Sequence, residues 1–144
     1  MTYSTPGTRL KHMEAKKDVL ILTDGLEGAA KMAAEIAAAL EGSNVSVKTV
    51  SEFKGNDILP AEAFFLGCET PEPDSFAYLG DLLKHINLAG RPCGVFSPGS
   101  EDAAKYLAGL VKDCEAALSP AQLAGSGAEI GSWANSVVSQ AMRG

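Results

Sequence analysis

The chain has 144 residues, 46% of them hydrophobic, and sets 12 lysines and arginines against 18 aspartates and glutamates for a formal charge of −6. That length suits one domain with a single core beneath covering layers. The negative balance argues against nucleic-acid or anionic-membrane binding, both of which use basic patches, and favours a cationic protein partner.

The opening MTYSTPGTRLKHMEAKK is polar and lacks the apolar centre of a secretory signal. No later apolar run approaches bilayer-spanning length, so a cytoplasmic protein is expected. Residues 1–16 are read as a flexible arm and 17–144 as the domain. DVLIL (18–22) is a short apolar run ending at Thr23-Asp24-Gly25, the pattern of a strand buried on both faces. A helix follows, with Met32, Ile36 and Leu40 on one stripe and Gly42 at its end. NVSVKTV (44–50) alternates as a half-exposed edge strand does, and SEFKGNDILP is too broken for more than a short helical turn.

AEAFFLGC (61–68) is the next buried strand. Phe76, Leu79, Leu83 and Ile86 then share a helical face that Gly90 closes, and PCGVFS (92–97) is a further strand. Tyr106, Leu107, Leu110 and Val111 mark another helix, CEAAL (114–118) a weak fifth strand, and Trp133, Val137 and Ala141 a final helix. Strands alternating with helices imply right-handed crossovers and a parallel sheet covered on both faces, a three-layer α/β domain.

This order of elements, with FFLGCETPEPDSFAYLGDLLKHINLAGRPCGVF (64–96), resembles the flavodoxin family from Lys17 onward. Gly67, Cys68, Pro71, Gly90 and Arg91 fall at the family's strand-end turn, its following proline and the step into the next strand. The resemblance implies a doubly wound five-stranded parallel sheet of order 2-1-3-4-5. It also implies FMN at the switch point and electron transfer to a protein partner. The cofactor-binding residues it implies are Thr23, Asp24, Gly25, Leu26, Glu27 and Gly28 in the first loop, Thr70 and Pro71 in the second, and Ser97, Pro98, Gly99 and Ser100 in the third.

The first loop departs from the family's hydroxyl- and glycine-rich turn. Aligned on Lys31-Met32-Ala33, Asp24 stands where a hydroxyl belongs, Leu26 and Ala29 where threonines belong, and Glu27 at the glycine. A phosphate dianion at a helix N-terminus is held by backbone N–H groups and hydroxyl donors. Each such hydrogen bond contributes about 1.5–3 kcal/mol, so losing two or three lowers affinity about a thousandfold or more. The simpler reading of the turn is a helix cap by Asp24 or Thr23, with Glu27 complementing the positive helix end.

In the second loop Glu69, Glu72 and Asp74 would lower the potential of a neighbouring flavin ring, but no aromatic lies there to stack on it. Phe76 is read as core packing, and Tyr78 as the better candidate for a surface or stacking role. In the third loop Ser100 reads equally as an N-cap.

GSGAEIG (125–131) is a near miss for a dinucleotide fingerprint and reads as a flexible linker before the last helix. His12 and His85 are too far apart to suggest a metal site, and no catalytic residues are assigned. Cys68, Cys93 and Cys114 fit no disulfide or zinc spacing and are read as reduced, buried side chains. A phosphate-accepting receiver domain shares this layout, but the third strand ends in Gly67-Cys68 instead of an aspartate.

The sequence thus points to a flavodoxin-like electron-transfer or binding protein rather than a catalyst. FMN binding is expected to be weak or lost, and the acidic strand-end loops to engage a protein. The alternative is a working FMN carrier that holds the cofactor through backbone amides of the three loops.

Overall fold

The computed structural model describes residues 17–54, 57–58, 60–70, 76–112, 114–123 and 125–139. The expected N-terminal arm (1–16), His12 and Ala141 lie outside the described residues. Five strands, β1 (Asp18–Thr23), β2 (Asn44–Thr49), β3 (Ala63–Gly67), β4 (Pro92–Phe96) and β5 (Ala117–Leu118), form one sheet. Every pairing is parallel and the order is β2-β1-β3-β4-β5, as the sequence led us to expect. Four helices are described: α1 (Glu27–Ala39), α2 (Ala77–Leu83), α3 (Glu101–Lys112) and α4 (Gly127–Ser139).

The period-two alternation of the central strands divides the core into two layers. Leu20 and Leu22 of β1, Phe64 and Leu66 of β3, and Cys93 and Val95 of β4 meet α2 and α3 through Leu79, Leu83, Leu107 and Val111. On the other face, Val19, Ile21, Ala63, Phe65 and Phe96 meet Met32 and Ile36 of α1 and Ile130, Ala134 and Val137 of α4. All five residues of β3 and of β4 are buried, which is why their sequences read as continuous apolar runs. β2 lies at the edge and is half exposed along its length.

The crossover from β2 to β3 contains no α-helix among its described residues. Val50, Phe53, Ile58 and Ala61 cover the α2–α3 face directly. Arg91 ties it down, its Nη1 donating to the carbonyls of Ala61 (2.8 Å) and Ile58 (3.3 Å).

Three expectations need correction. α2 ends at Leu83 rather than near Gly90, because the chain turns to dock on the segment between α3 and β5, where the Leu88 N–H donates to the Cys114 carbonyl at 2.9 Å. The fifth strand is confined to residues 117–118 of the expected 114–118. The GSGAEIG segment is largely helix and not linker. Ser126 and Glu129 cap α4 reciprocally, the Glu129 N–H donating to Ser126 Oγ (3.1 Å) and the Ser126 N–H to Glu129 Oε1 (2.9 Å). The Ser126 backbone N–H, and after it the Ser126 hydroxyl, hold the exposed Glu129 carboxyl below its ordinary range.

Candidate functional site: the strand-end loops at the switch point

The chain leaves β1 towards β2 on one side, while β3 pairs on the other, so the carboxyl ends of β1 and β3 flank the topological switch point. The three loops predicted from the sequence converge there. Thr23–Gly28 follows β1, Glu69 and Thr70 follow β3, and Ser97–Ser100 follows β4. Pro71, Glu72 and Asp74 lie outside the described residues. The β1 and β4 loops touch at Gly28, where an added Cβ would stand 3.0 Å from Pro98 Cγ.

The first loop is built by its own polar side chains. The Gly25 N–H donates to Thr23 Oγ1 at 3.1 Å, and the Leu26 N–H to Asp24 Oδ1 at 3.0 Å. Gly25 takes φ +83°, a left-handed conformation that glycine adopts without steric cost. Leu26, and not Thr23 or Asp24, is the N-cap residue of α1, and its side chain makes no capping bond. The expected local cap is therefore replaced by a distant one.

That distant cap is Glu69. Its Oε2 accepts the N–H of Gly28 and, at 3.3 Å, the N–H of Ala29. Both donors belong to the first turn of α1, whose amides have no partner within the helix and sit at the positive end of the helix dipole. Asp24 holds Glu69 in place, because its Oδ2 accepts the Glu69 backbone N–H at 2.8 Å. Asp24 thus joins the β1 and β3 loops with one oxygen each. Glu69, expected from the sequence beside a flavin ring, lies instead on the amides a phosphate would use.

Two hydroxyls of the site are buried in the fold. Thr23 and Ser97 are buried, and Ser97 Oγ accepts the Ser100 N–H at 3.2 Å. Ser100 Oγ accepts the Ala103 N–H at 3.0 Å and caps α3, as the simpler reading expected. Ala29, aligned with a family threonine, is fully buried against the sheet, so a hydroxyl there would enter the core. Thr70, Gly99, Gly25, Leu26 and Glu27 are exposed.

Cys68, between β3 and Glu69, is buried, and its Sγ–H donates to the Thr70 carbonyl at 3.2 Å. Burial, and secondarily the Asp24 carboxylate, push its thiol up to about 12, so it is a protonated packing residue at neutral pH. All three cysteines are buried and form no disulfide. Phe76 is fully buried, whereas Tyr78 is 54% exposed and inclined against Phe53 with ring centroids 6.3 Å apart. Tyr78 and Leu26, 47% exposed, are among the large apolar side chains most open to solvent, and Leu26 belongs to the first loop. Among the described residues no helix is long and apolar enough to cross a membrane.

A doubly wound parallel sheet with two helices on each face and converging loops at the β1/β3 switch point defines a class of α/β proteins, and comparison with solved structures gives the particular fold. No family model matches the chain, and no curated protein matches it. A short-chain flavodoxin associated with a non-canonical PDU bacterial microcompartment is similar to it with a TM-score of 0.77 at 14% identity, over 87% of this chain and 99% of that one. Oxidised flavodoxin 2 from Bacillus cereus gives 0.70 at 18% identity, over 88% and 99%. A flavodoxin variant from Fusobacterium nucleatum bound to flavin mononucleotide gives 0.61 at 17% identity, over 72% and 68%. The chain has the flavodoxin-like fold.

The resemblance read from the sequence implies FMN, and the residues at the N-terminus of α1 do not suit its phosphate in the arrangement described. The two N-terminal amides of α1 are already bonded to a carboxylate, and the neighbouring Asp24, Glu27 and Glu69 oppose a second anion.

Proposed function

We propose that this chain is a flavodoxin-fold protein whose FMN binding is weak or lost and whose acidic strand-end loops engage another protein. The observation that carries the reading is the Glu69 carboxylate on the amides of Gly28 and Ala29. An incoming phosphate must break two charge-assisted hydrogen bonds, each contributing about 1.5–3 kcal/mol, before forming its own. At about 1.4 kcal/mol per tenfold, that exchange removes most of the affinity a phosphate group supplies. A working FMN carrier using backbone amides alone would need the same two N–H groups.

The partner this surface suits is cationic, because Asp24, Glu27 and Glu69 are gathered at the start of α1 beside the exposed Leu26. Complementary charge steers association and excludes wrong partners, while apolar contacts supply the buried centre.

The test is a titration of the purified chain with FMN, followed by flavin absorption and fluorescence. No perturbed flavin band at micromolar concentrations is expected. Binding tighter than micromolar overturns the weak-binding reading.

A further inference from the structure

We propose that Glu69 is an autoinhibitory occupant of the phosphate seat: its carboxylate is the anion that the α1 N-terminus holds, and FMN enters only by displacing it. The proposal deepens the preceding reading and rests on it, since it names the group that closes the same seat.

Three features set this contact apart from an ordinary helix cap. The capping oxygen comes from 41 positions along the chain, from the β3 loop that in this fold faces the same switch point as the β1 loop. One oxygen takes two successive amides, Gly28 and Ala29, in the way a phosphate oxygen is cradled. The carboxylate and the β4 loop also both lie close against the Gly28 backbone. A Cβ there would stand 2.9 Å from Glu69 Oε2 and 3.1 Å from its Cδ, with Pro98 Cγ 3.0 Å away on another side. The two amides hold an anion, and the chain supplies that anion itself.

Asp24 is the positioning residue. Its Oδ2 fixes the Glu69 backbone and its Oδ1 fixes the Leu26 backbone, so both loops are set before the Glu69 side chain reaches across. Glu69 remains partly exposed, and nothing covalent retains it. Opening the seat therefore requires only that one side chain swing into solvent, which frees the Gly28 and Ala29 amides for another acceptor. The occupant and the ligand compete for the same donors, and the contact sets a threshold that a phosphate ester must exceed.

The experiment compares the unaltered chain with Glu69→Ala and Glu69→Gln, titrating each with FMN, riboflavin and inorganic phosphate. Glu69→Gln keeps the shape and removes the charge, so it carries the test if Glu69→Ala fails to fold. The expected result is an FMN affinity at least tenfold higher in the variants, riboflavin affinity unchanged, and competition by inorganic phosphate against FMN in the variants alone. If the unaltered chain shows no FMN binding and neither variant gains any, autoinhibition is wrong while the weak-binding reading stands. An equal gain for riboflavin and FMN also overturns it, because the seat would then not be reading phosphate. Tight FMN binding by the unaltered chain overturns both.

Discussion

Gly67 and Phe96 are register partners at the carboxyl ends of β3 and β4, and the Phe96 ring lies across the space a side chain on Gly67 would occupy. An added Cβ would stand 2.1 Å from Phe96 Cε2 and 2.3 Å from Cζ. Phe96 is fully buried and cannot swing away, since its ring packs edge-on to Trp133 with centroids 6.4 Å apart. Gly67 is therefore required by close approach, and it sets the point from which Cys68 and Glu69 leave the sheet.

Gly67→Ala is expected to destabilise the fold by about 3 kcal/mol, the upper part of the range for overpacking a close-packed core. Urea unfolding followed by circular dichroism checks this. The paired variant Gly67→Ala/Phe96→Leu should recover part of the loss, because it removes the ring atoms that collide with the new methyl group. Equal stability of Gly67→Ala and the unaltered chain would show that the β3–β4 end has room that these distances deny.

Cys68 gives a pH dependence whose sign is fixed. Its thiol is pushed up to about 12 in the folded chain from an ordinary value of 9.0, by burial first and by the Asp24 carboxylate second. A group with a raised folded pKa contributes stability that is complete below the unfolded value and is lost as pH rises towards the folded one. Between about pH 9 and pH 12 the unfolded chain releases this proton and the folded chain keeps it. The unaltered chain should therefore lose stability more steeply over that window than Cys68→Ala, measured as urea midpoints at successive pH values. Parallel curves for the two would contradict a buried, protonated thiol at this position.

The sheet was legible because its central strands are buried on both faces and their sequences say so. DVLIL, AEAFFLGC and PCGVFS each overlap the observed strand to within two residues at either end. The fifth strand was barely legible, since its two ladder residues, Ala117 and Leu118, sit among polar neighbours and Leu118 is 41% exposed. The start of α4 was present in the sequence as Ser126-x-x-Glu129, a capping box, but its three glycines make the same stretch resemble a linker.

For the site, the loops were legible and their internal bonding was not. The lack of hydroxyls at residues 24–29 is plain in the sequence, yet the carboxylate that caps α1 lies in another loop. Nothing local in TDGLEG indicates that its N–H groups will be met by Glu69, because that contact exists only once β1 and β3 pair in register, Thr23 opposite Gly67. Thr23 and Asp24 look like caps for the same reason. Their side chains do bond to nearby amides, but to those of Gly25 and Leu26 in the turn, leaving the helix end for the long-range partner.

The most direct test of the central claim, that the α1 N-terminus is held by the chain's own carboxylate, is the amide resonance of Gly28 in the 15N-labelled protein. The predicted result is a strongly downfield Gly28 proton in the unaltered chain that inorganic phosphate leaves in place. It should move upfield in Glu69→Gln and Glu69→Ala, with Ala29 following to a smaller degree. A Gly28 resonance that ignores the Glu69 substitutions, or that shifts when phosphate is added to the unaltered chain, would contradict the claim.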